Sequence, residues 1–210
     1  MRPVTRRQAD RYAARSATTQ AQLMSSLERL LDSGENYSEI SVQQILEEAG
    51  VSRATFYAHF HGKSDVLVRL TNELRESLVA LAEDLDITAE GDGDVRLTSF
   101  FEEVVRIHRT RQGVIAAVAE AASYETSVSD FYTENLGSFE EAALRALLKG
   151  QALGTTASDL DAVSVSRIIA WGGAQAIAHH IRVADVSRDA VFARDLALVW
   201  WHGAYRRPGS

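Results

Sequence analysis

The chain has no cysteine and only two prolines, Pro3 and Pro208, both beside its ends. Without thiols there is no disulfide framework, thiolate metal site or cysteine nucleophile, and a reducing compartment suits such a chain. Between the two prolines nothing interrupts a helix by removing a backbone donor. Long apolar runs are also missing. The longest, Ile168 to Ala178 broken only by Gln175, falls short of the roughly 20 residues a membrane helix needs. The arginine-rich start has no apolar stretch behind it and does not read as a secretory signal, so the expected location is the cytoplasm. No G-x-S-x-G, Walker or G-x-G-x-x-G pattern occurs, so the nucleophile elbow, P-loop and dinucleotide site are unsupported. His59 and His61 are two apart and His179 and His180 adjacent. Neither pair has the i, i+4 spacing that puts two metal ligands on one helix face. The expectation is no enzyme, no cofactor and no metal.

What is present is helical periodicity. The 210 residues are 46% hydrophobic, enough for one large domain or two small ones. Helices are expected over about 18–32, two short ones within 41–60, then 63–85, a helix ending near 110, 113–123, 127–149, 160–183 and 188–205. Loops rich in Gly, Asp, Ser and Thr are expected at 88–94 and 154–158. No strand pattern or repeat interrupts them, and the fold class is all-α. The helix at 63–85 carries Leu67, Leu70, Leu74, Leu78, Leu81 and Leu85 at three- and four-residue steps, a continuous apolar stripe.

The net charge is −7, but it is unevenly spread. Residues 1–20 hold five arginines, Arg2, Arg6, Arg7, Arg11 and Arg15, against one aspartate. Residues 64–210 are acidic. Residues 1–17 read as a basic flexible arm, either solvated or clamped on phosphates or a minor groove. An acidic body disfavours indiscriminate phosphate binding and leaves affinity to a few placed contacts.

The densest chemistry lies between Ser41 and Phe60. Ser41 and Gln44 form an S-x-x-Q capping box. Ile45 and Ala49 repeat at helical spacing. Gly50 can take the positive φ that a tight turn demands. Ser52 caps a second short helix, whose buried side is Val51, Phe56 and Phe60. Arg53, Ala54, Thr55 and Tyr57 are left outward. Arg53 can donate two bonds to a guanine edge, or one to a phosphate. Ala54 permits close approach, and an Ala or Thr methyl can touch a thymine methyl. The hydroxyls of Thr55 and Tyr57 suit phosphate oxygens.

The stretch Ala49-Gly50-Val51-Ser52-Arg53-Ala54-Thr55-Phe56-Tyr57-Ala58-His59-Phe60-His61-Gly62-Lys63 resembles the N-terminal domain of TetR-family transcriptional regulators. The resemblance covers Ser41 to Asp65, about a quarter of the chain, and departs from the family pattern at His61-Gly62, where Pro-Ser is common. It implies a helix-turn-helix domain over 18–62 and a larger ligand-binding and dimerisation domain over 63–207, about nine helices in all. It implies that Tyr57 and Lys63 meet phosphates. The DNA-contacting candidates are Gln43, Ser52, Arg53, Ala54, Thr55, Tyr57, His61 and Lys63. Read from the residues alone, Ser64 caps the next helix; read with the family, Gly62 does.

In the body, the resemblance, closest to the EthR-like branch, implies an apolar effector cavity. The candidates for lining it are Phe101, Val104, His108, Leu136, Phe139, Trp171, Gly173, Gln175 and Trp200. Each aromatic among them reads equally well as core. The helix at 160–183 is apolar nearly all round and rich in Gly and Ala, and Val199-Trp200-Trp201 put apolar groups on adjacent faces. Such helices need cover on several sides, so the last two helices are expected to pair with those of a second copy. The functional expectation is a repressor that binds a palindromic double-stranded operator and is released by a small apolar or amphipathic effector. The alternatives are a DNA-binding regulator, activator or constitutive, without a ligand response and, more remotely, a small-molecule enzyme or carrier.

Overall fold

The computed structural model describes residues 6–86 and 91–205, with side chains from residue 14 onward. Among the described residues every regular element is helical: α1 Arg6–Asp32, α2 Val42–Ala49, α3 Arg53–Tyr57, α4 Lys63–Glu83, α5 Gly93–Thr110, α6 Gln112–Ala121, α7 Thr126–Ala152, α8 Ala162–Arg167, α9 Gly173–Val183 and α10 Asp189–Trp200. A π-helical turn, Ile168–Gly172, joins α8 and α9 into one rod, and another, Trp201–Tyr205, extends α10. The expected all-α class therefore stands. The helices expected at 160–183 and 188–205 are the α8–α9 rod and the extended α10. None of the described helices is long and apolar enough to cross a membrane.

One boundary differs from expectation. α1 begins at Arg6, within the segment read as a flexible arm over 1–17. No proline or glycine lies between Pro3 and Gly34, and the Arg, Gln and Ala of this stretch are good helix formers. Arg2 lies outside the described residues, as do the side chains of Arg6, Arg7 and Arg11; Arg15 is exposed. α4 begins at Lys63, with Val66 N–H donating to the Gly62 carbonyl. Ser64 is therefore inside the helix.

The chain divides into two compact units, Met1–Glu73 with Gly113–Asp130, and Leu74–Gln112 with Phe131–Ser210. The first half of α4, nearly all of α6 and the start of α7 belong with the N-terminal helices. In this first unit Leu23, Leu27, Tyr37, Ile45, Phe56, Val66 and Leu67 are fully buried, together with Val114 and Val128. Gly113 shows how close the packing is: a Cβ there would stand 3.0 Å from Asp32 Oδ1 and 3.1 Å from the Leu31 carbonyl carbon.

The second unit has its own core, with Leu97, Phe101, Val105, Leu147, Ile177, Ala193, Ala197 and Trp201. α10 packs along α5. The small, fully buried Ala193 and Ala197 leave room for that approach. A polar node also ties these helices together. Asp189 accepts from Arg109 Nε at 3.1 Å and Nη2 at 2.6 Å, and lies 2.9 Å from His180 Nε2. Arg109 also donates to the Ile181 and Ala184 carbonyls at the end of α9. Its hydrogen bonds hold the Asp189 carboxyl below the usual aspartate value.

Candidate nucleic-acid interface

The turn between α2 and α3 is built from local bonds. Ser41 has extended backbone; its Oγ accepts from Gln44 N–H at 3.2 Å, while Gln44 Oε1 accepts from Ser41 N–H at 2.8 Å. The capping box read from the sequence is therefore formed. Gly50 closes α2 at φ 65°, in the left-handed region that any side chain would strain. Ser52 Oγ then accepts from Thr55 N–H at 3.1 Å and caps α3. Leu46 is buried beside Ile45, whereas Ala49 and Val51 are only half-buried. Phe56 and Phe60 are buried, with Phe56 edge-on to Tyr57 at 5.2 Å between centroids.

This anchoring leaves Arg53, Ala54 and Tyr57 exposed on one short helix. Ser52 is also exposed. Thr55 is half-buried, and its hydroxyl lies 2.8 Å from Ser52 Oγ, so it begins as part of the cap. Gln43 is exposed on α2 and donates to Glu47 at 2.8 Å. His61 is exposed, and its backbone N–H and Nδ1 both lie 3.0 Å from Asp65 Oδ2. An exposed cation, a methyl group and a phenol hydroxyl beside one another suit the edge of a duplex, where phosphate bonds position and base contacts specify.

Lys63 is placed differently. Its ammonium donates to the carbonyls of Tyr37, Ser38 and Ile40, at 2.7, 3.3 and 2.8 Å. An ammonium has three protons, and all three are engaged within the protein. It also stands 4.4 Å from the centroid of the Tyr37 ring. Burial lowers its pKa from the usual lysine value, against the pull of Glu125 and Glu120. In the chain alone, the turn before α2 lies within reach of Lys63 and its carbonyls take up the ammonium's donors.

Glu120 on α6 was not foreseen. It accepts from the backbone N–H groups of Tyr37 at 3.0 Å and Ser38 at 2.9 Å, one through each carboxylate oxygen. The Ser38 side chain, then the Ser38 and Tyr37 amides, hold its carboxyl below the usual glutamate value. One signal was available: Glu120 is the single charged residue in α6, among Val and Ala.

The effector-side candidates separate into two groups. Phe101 and Trp200 meet edge-on at 5.1 Å, and a Cβ built on Gly173 would overlap the Trp200 ring. Phe101 and Val104 are core residues, with Phe139 and Trp200 packed against the same cluster. Leu136 is buried. His108 is pushed below the usual histidine value by burial, and its Nδ1 lies 2.8 Å from the Val104 carbonyl. That carbonyl can only accept, so Nδ1 carries the proton and Nε2 is left as an acceptor. Trp171 and Gln175 lie elsewhere, on the exposed side of the α8–α9 rod around Tyr132. The Trp171 and Tyr132 rings are 6.4 Å apart, and Gln175 Nε2 is 3.5 Å from the Tyr132 hydroxyl. A cavity of about 420 Å³ opens along α9 and α10, lined by His180, Arg188, Phe192, Leu196 and Val199 among others; none of the expected lining residues borders it.

Comparison with known proteins fits this anatomy. The family model of bacterial regulatory proteins, tetR family, matches residues 33–70. Those residues span α2, α3 and the start of α4. Solved structures share the fold over most of the chain. NalD of Pseudomonas aeruginosa, the secondary repressor of the MexAB-OprM multidrug efflux pump, is 18% identical, with a TM-score of 0.72 over 91% of this chain and 99% of its own. The fatty acid degradation regulator FadR of Bacillus halodurans is 18% identical, with a TM-score of 0.72 over 90% and 97%. SmeT, repressor of the Stenotrophomonas maltophilia multidrug efflux pump SmeDEF, is 16% identical, with a TM-score of 0.66 over 90% and 91%. No curated protein matches. With these structures the chain shares the fold.

Proposed function

We propose that the chain is a homodimeric transcriptional repressor that reads a palindromic operator through α3 and is released by a small, largely apolar effector. The observation that carries this reading is the capped α2–α3 turn, which exposes Arg53, Ala54 and Tyr57 together while Phe56 and Phe60 anchor the helix. Ser52 and Thr55 form the cap at its edge, and Gln43 and His61 flank it. A dimer is supported by apolar groups left open in a single chain: Ile168, Val183 and Val199 are each more than 60% exposed. Exposed apolar side chains on these last helices suit cover by a partner. The groove along α9 and α10 lies beside it and, with Trp171, suits a second copy.

The effector would be admitted among Phe101, Val104, Leu136, Phe139, Gly173 and Trp200, with His108 Nε2 accepting one hydrogen bond from it. Trp171 and Gln175 fit the dimer face better than this lining. α4 supplies residues to both units, so it is the element through which effector binding would alter the spacing of the two reading heads. A coupling of about 1–3 kcal/mol is typical of such switches.

Selection of duplexes from a random library by the full chain tests the reading. The expected result is an inverted repeat protected by a dimer; failure to enrich any sequence would exclude it. A regulator without ligand response is the second reading, favoured by the direct packing of Phe101, Trp200 and Gly173, which fills the space an effector would take. A thermal-shift survey of apolar and amphipathic compounds separates the two. Compounds that raise the melting temperature and weaken operator binding support the switch.

A further inference from the structure

The turn that delivers the chain to α2 is gripped by opposite charges. Lys63 takes three of its carbonyls and Glu120 takes two of its amides. Between them the Tyr37 ring is 1% exposed, with its hydroxyl 3.3 Å from Ser64 Oγ. Five polar contacts thus converge on residues 37, 38 and 40 from two charged side chains. One of these stands at the start of α4 and the other on α6. Gly113 brings α6 against the end of α1, so α6 is seated both on α1 and, through Glu120, on this turn.

We propose that Glu120 is a positioning residue for DNA reading: with Lys63 it latches residues 37–40, so that α6 holds α2 and α3 in their reading attitude without touching DNA. The five-residue α3 is far too short to be stable by itself. Its placement depends on what holds the segment leading into it. A carboxylate spanning two consecutive amides fixes the direction of that backbone, and charge-assisted bonds are the stronger kind. Glutamine at position 120 keeps the shape but turns an NH2 group toward an N–H, so one amide loses its acceptor. Glu125 lends negative charge to Lys63 and Tyr37, while the Tyr37 and Ser38 amides are already taken by Glu120. Glu125→Gln therefore tests charge without disturbing the latch.

The experiment uses the full chain as wild type, Glu120→Gln and Glu125→Gln. Hydrogen exchange is read at the Tyr37 and Ser38 amides, with Leu147 in the second unit as internal reference. Binding is read on the duplex that wild type selects from a random library and on a scrambled duplex. Loss of one charge-assisted bond should speed exchange at Tyr37 and Ser38 roughly tenfold relative to Leu147. The selected duplex should bind about tenfold more weakly, with the scrambled duplex and the salt dependence unchanged. Glu125→Gln should behave as wild type. Unchanged exchange at the two amides would overturn the latch, and equal losses on both duplexes would overturn its role in reading sequence. The binding arm rests on the function proposed above, whereas the exchange arm does not. If wild type selects no duplex, that function fails and so does the latch's reading role, while exchange still decides whether the turn is held. Should Glu120→Gln not fold, Glu120→Asp keeps the charge without the reach and is expected to show the same exchange pattern.

Discussion

The two units finish their surfaces in different ways. In the first, polar groups near the reading helix are matched by neighbours: Ser41 with Gln44, Ser52 with Thr55, Lys63 with three carbonyls, Glu120 with two amides. What is left outward on α3 is small or able to hydrogen-bond. The second has polar pairs too, among them Arg109 with Asp189, His180 with Asp189 and Arg167 with Glu140, but it also leaves Ile168, Val183 and Val199 more than 60% exposed. The difference bears on the kind of partner each surface would suit. A surface with satisfied polar groups and a few free donors suits a hydrated, charged duplex. A surface with exposed valine, isoleucine and tryptophan gains by being covered with protein.

Breaking each unit at its own anchor sharpens this contrast. Phe56 is fully buried and packs on Tyr57 and Phe60. Phe56→Ala should cost about 3–5 kcal/mol and remove sequence-specific DNA binding. Denaturant unfolding measures the loss, and a change under 1 kcal/mol would show that the reading helix is held by something other than its aromatic anchor.

The second unit's anchor is polar and should yield less. Asp189 has 17% of its side chain exposed and Arg109 has 20%. A fully buried pair loses about 3–5 kcal/mol when one partner is removed, and solvent screening reduces that here. Asp189→Asn is therefore expected to cost roughly 1–3 kcal/mol. The sign with pH follows from the lowered carboxyl pKa. The stabilisation is full above the ordinary value of 3.8 and is lost as pH falls through the lower folded value. The melting temperature of wild type should fall more steeply than that of Asp189→Asn below that point. Parallel curves would show that Asp189 is not the group being titrated.

The same contrast explains what could be read from the residues beforehand. The capping box, Gly50 and the Ser52 cap each depend on residues within about four positions, so their spacing discloses them. The Leu stripe of α4 is equally local. The Lys63 brace and the Glu120 contacts were not legible because their partners are distant in the chain, 23 to 26 residues from Lys63 and 82 and 83 from Glu120. The arm expected over 1–17 was judged by charge, while the helix-forming character of its Ala, Arg and Gln decided its backbone from Arg6. In the body, apolar periodicity marked Phe101 and Trp200 as inward but could not tell direct contact from a shared cavity. The π turns at 168–172 and 201–205 each widen a turn of helix, a change that a regular 3.6-residue reading does not register. Trp171 and Gln175 each stand two positions from Gly173, about 200° round a regular helix, and so fall on a different side from it.

Within the head, Arg53 and Lys63 make a finer comparison, since one cation is exposed and the other engaged. Arg53→Ala should weaken the selected duplex by about 1–3 kcal/mol and broaden the base preference at one position if it reads a base edge. Equal weakening on all sequences, with a shallower salt dependence, would place it on a phosphate instead. Competition binding against single-base variants of the selected duplex distinguishes these outcomes.

Lys63 carries the smallest expected change and the most informative one. Each phosphate neutralised by a protein cation contributes roughly 0.9 to the slope of log affinity against log salt. The three Lys63 protons already meet Tyr37, Ser38 and Ile40, so Lys63→Met removes a brace and no phosphate contact. Affinity for the selected duplex should fall because the turn loosens, and amide exchange at Tyr37 should quicken, while the salt slope stays within about 0.2 of wild type, well under one phosphate contact. A slope shallower by about one would mean that Lys63 leaves its carbonyls when DNA arrives. The brace would then be a feature of the free protein, released in exchange for a phosphate, and Glu120 alone would hold the turn in the complex. Measuring the slope for Glu120→Gln beside Lys63→Met decides between them, since the carboxylate has no phosphate to meet in either case.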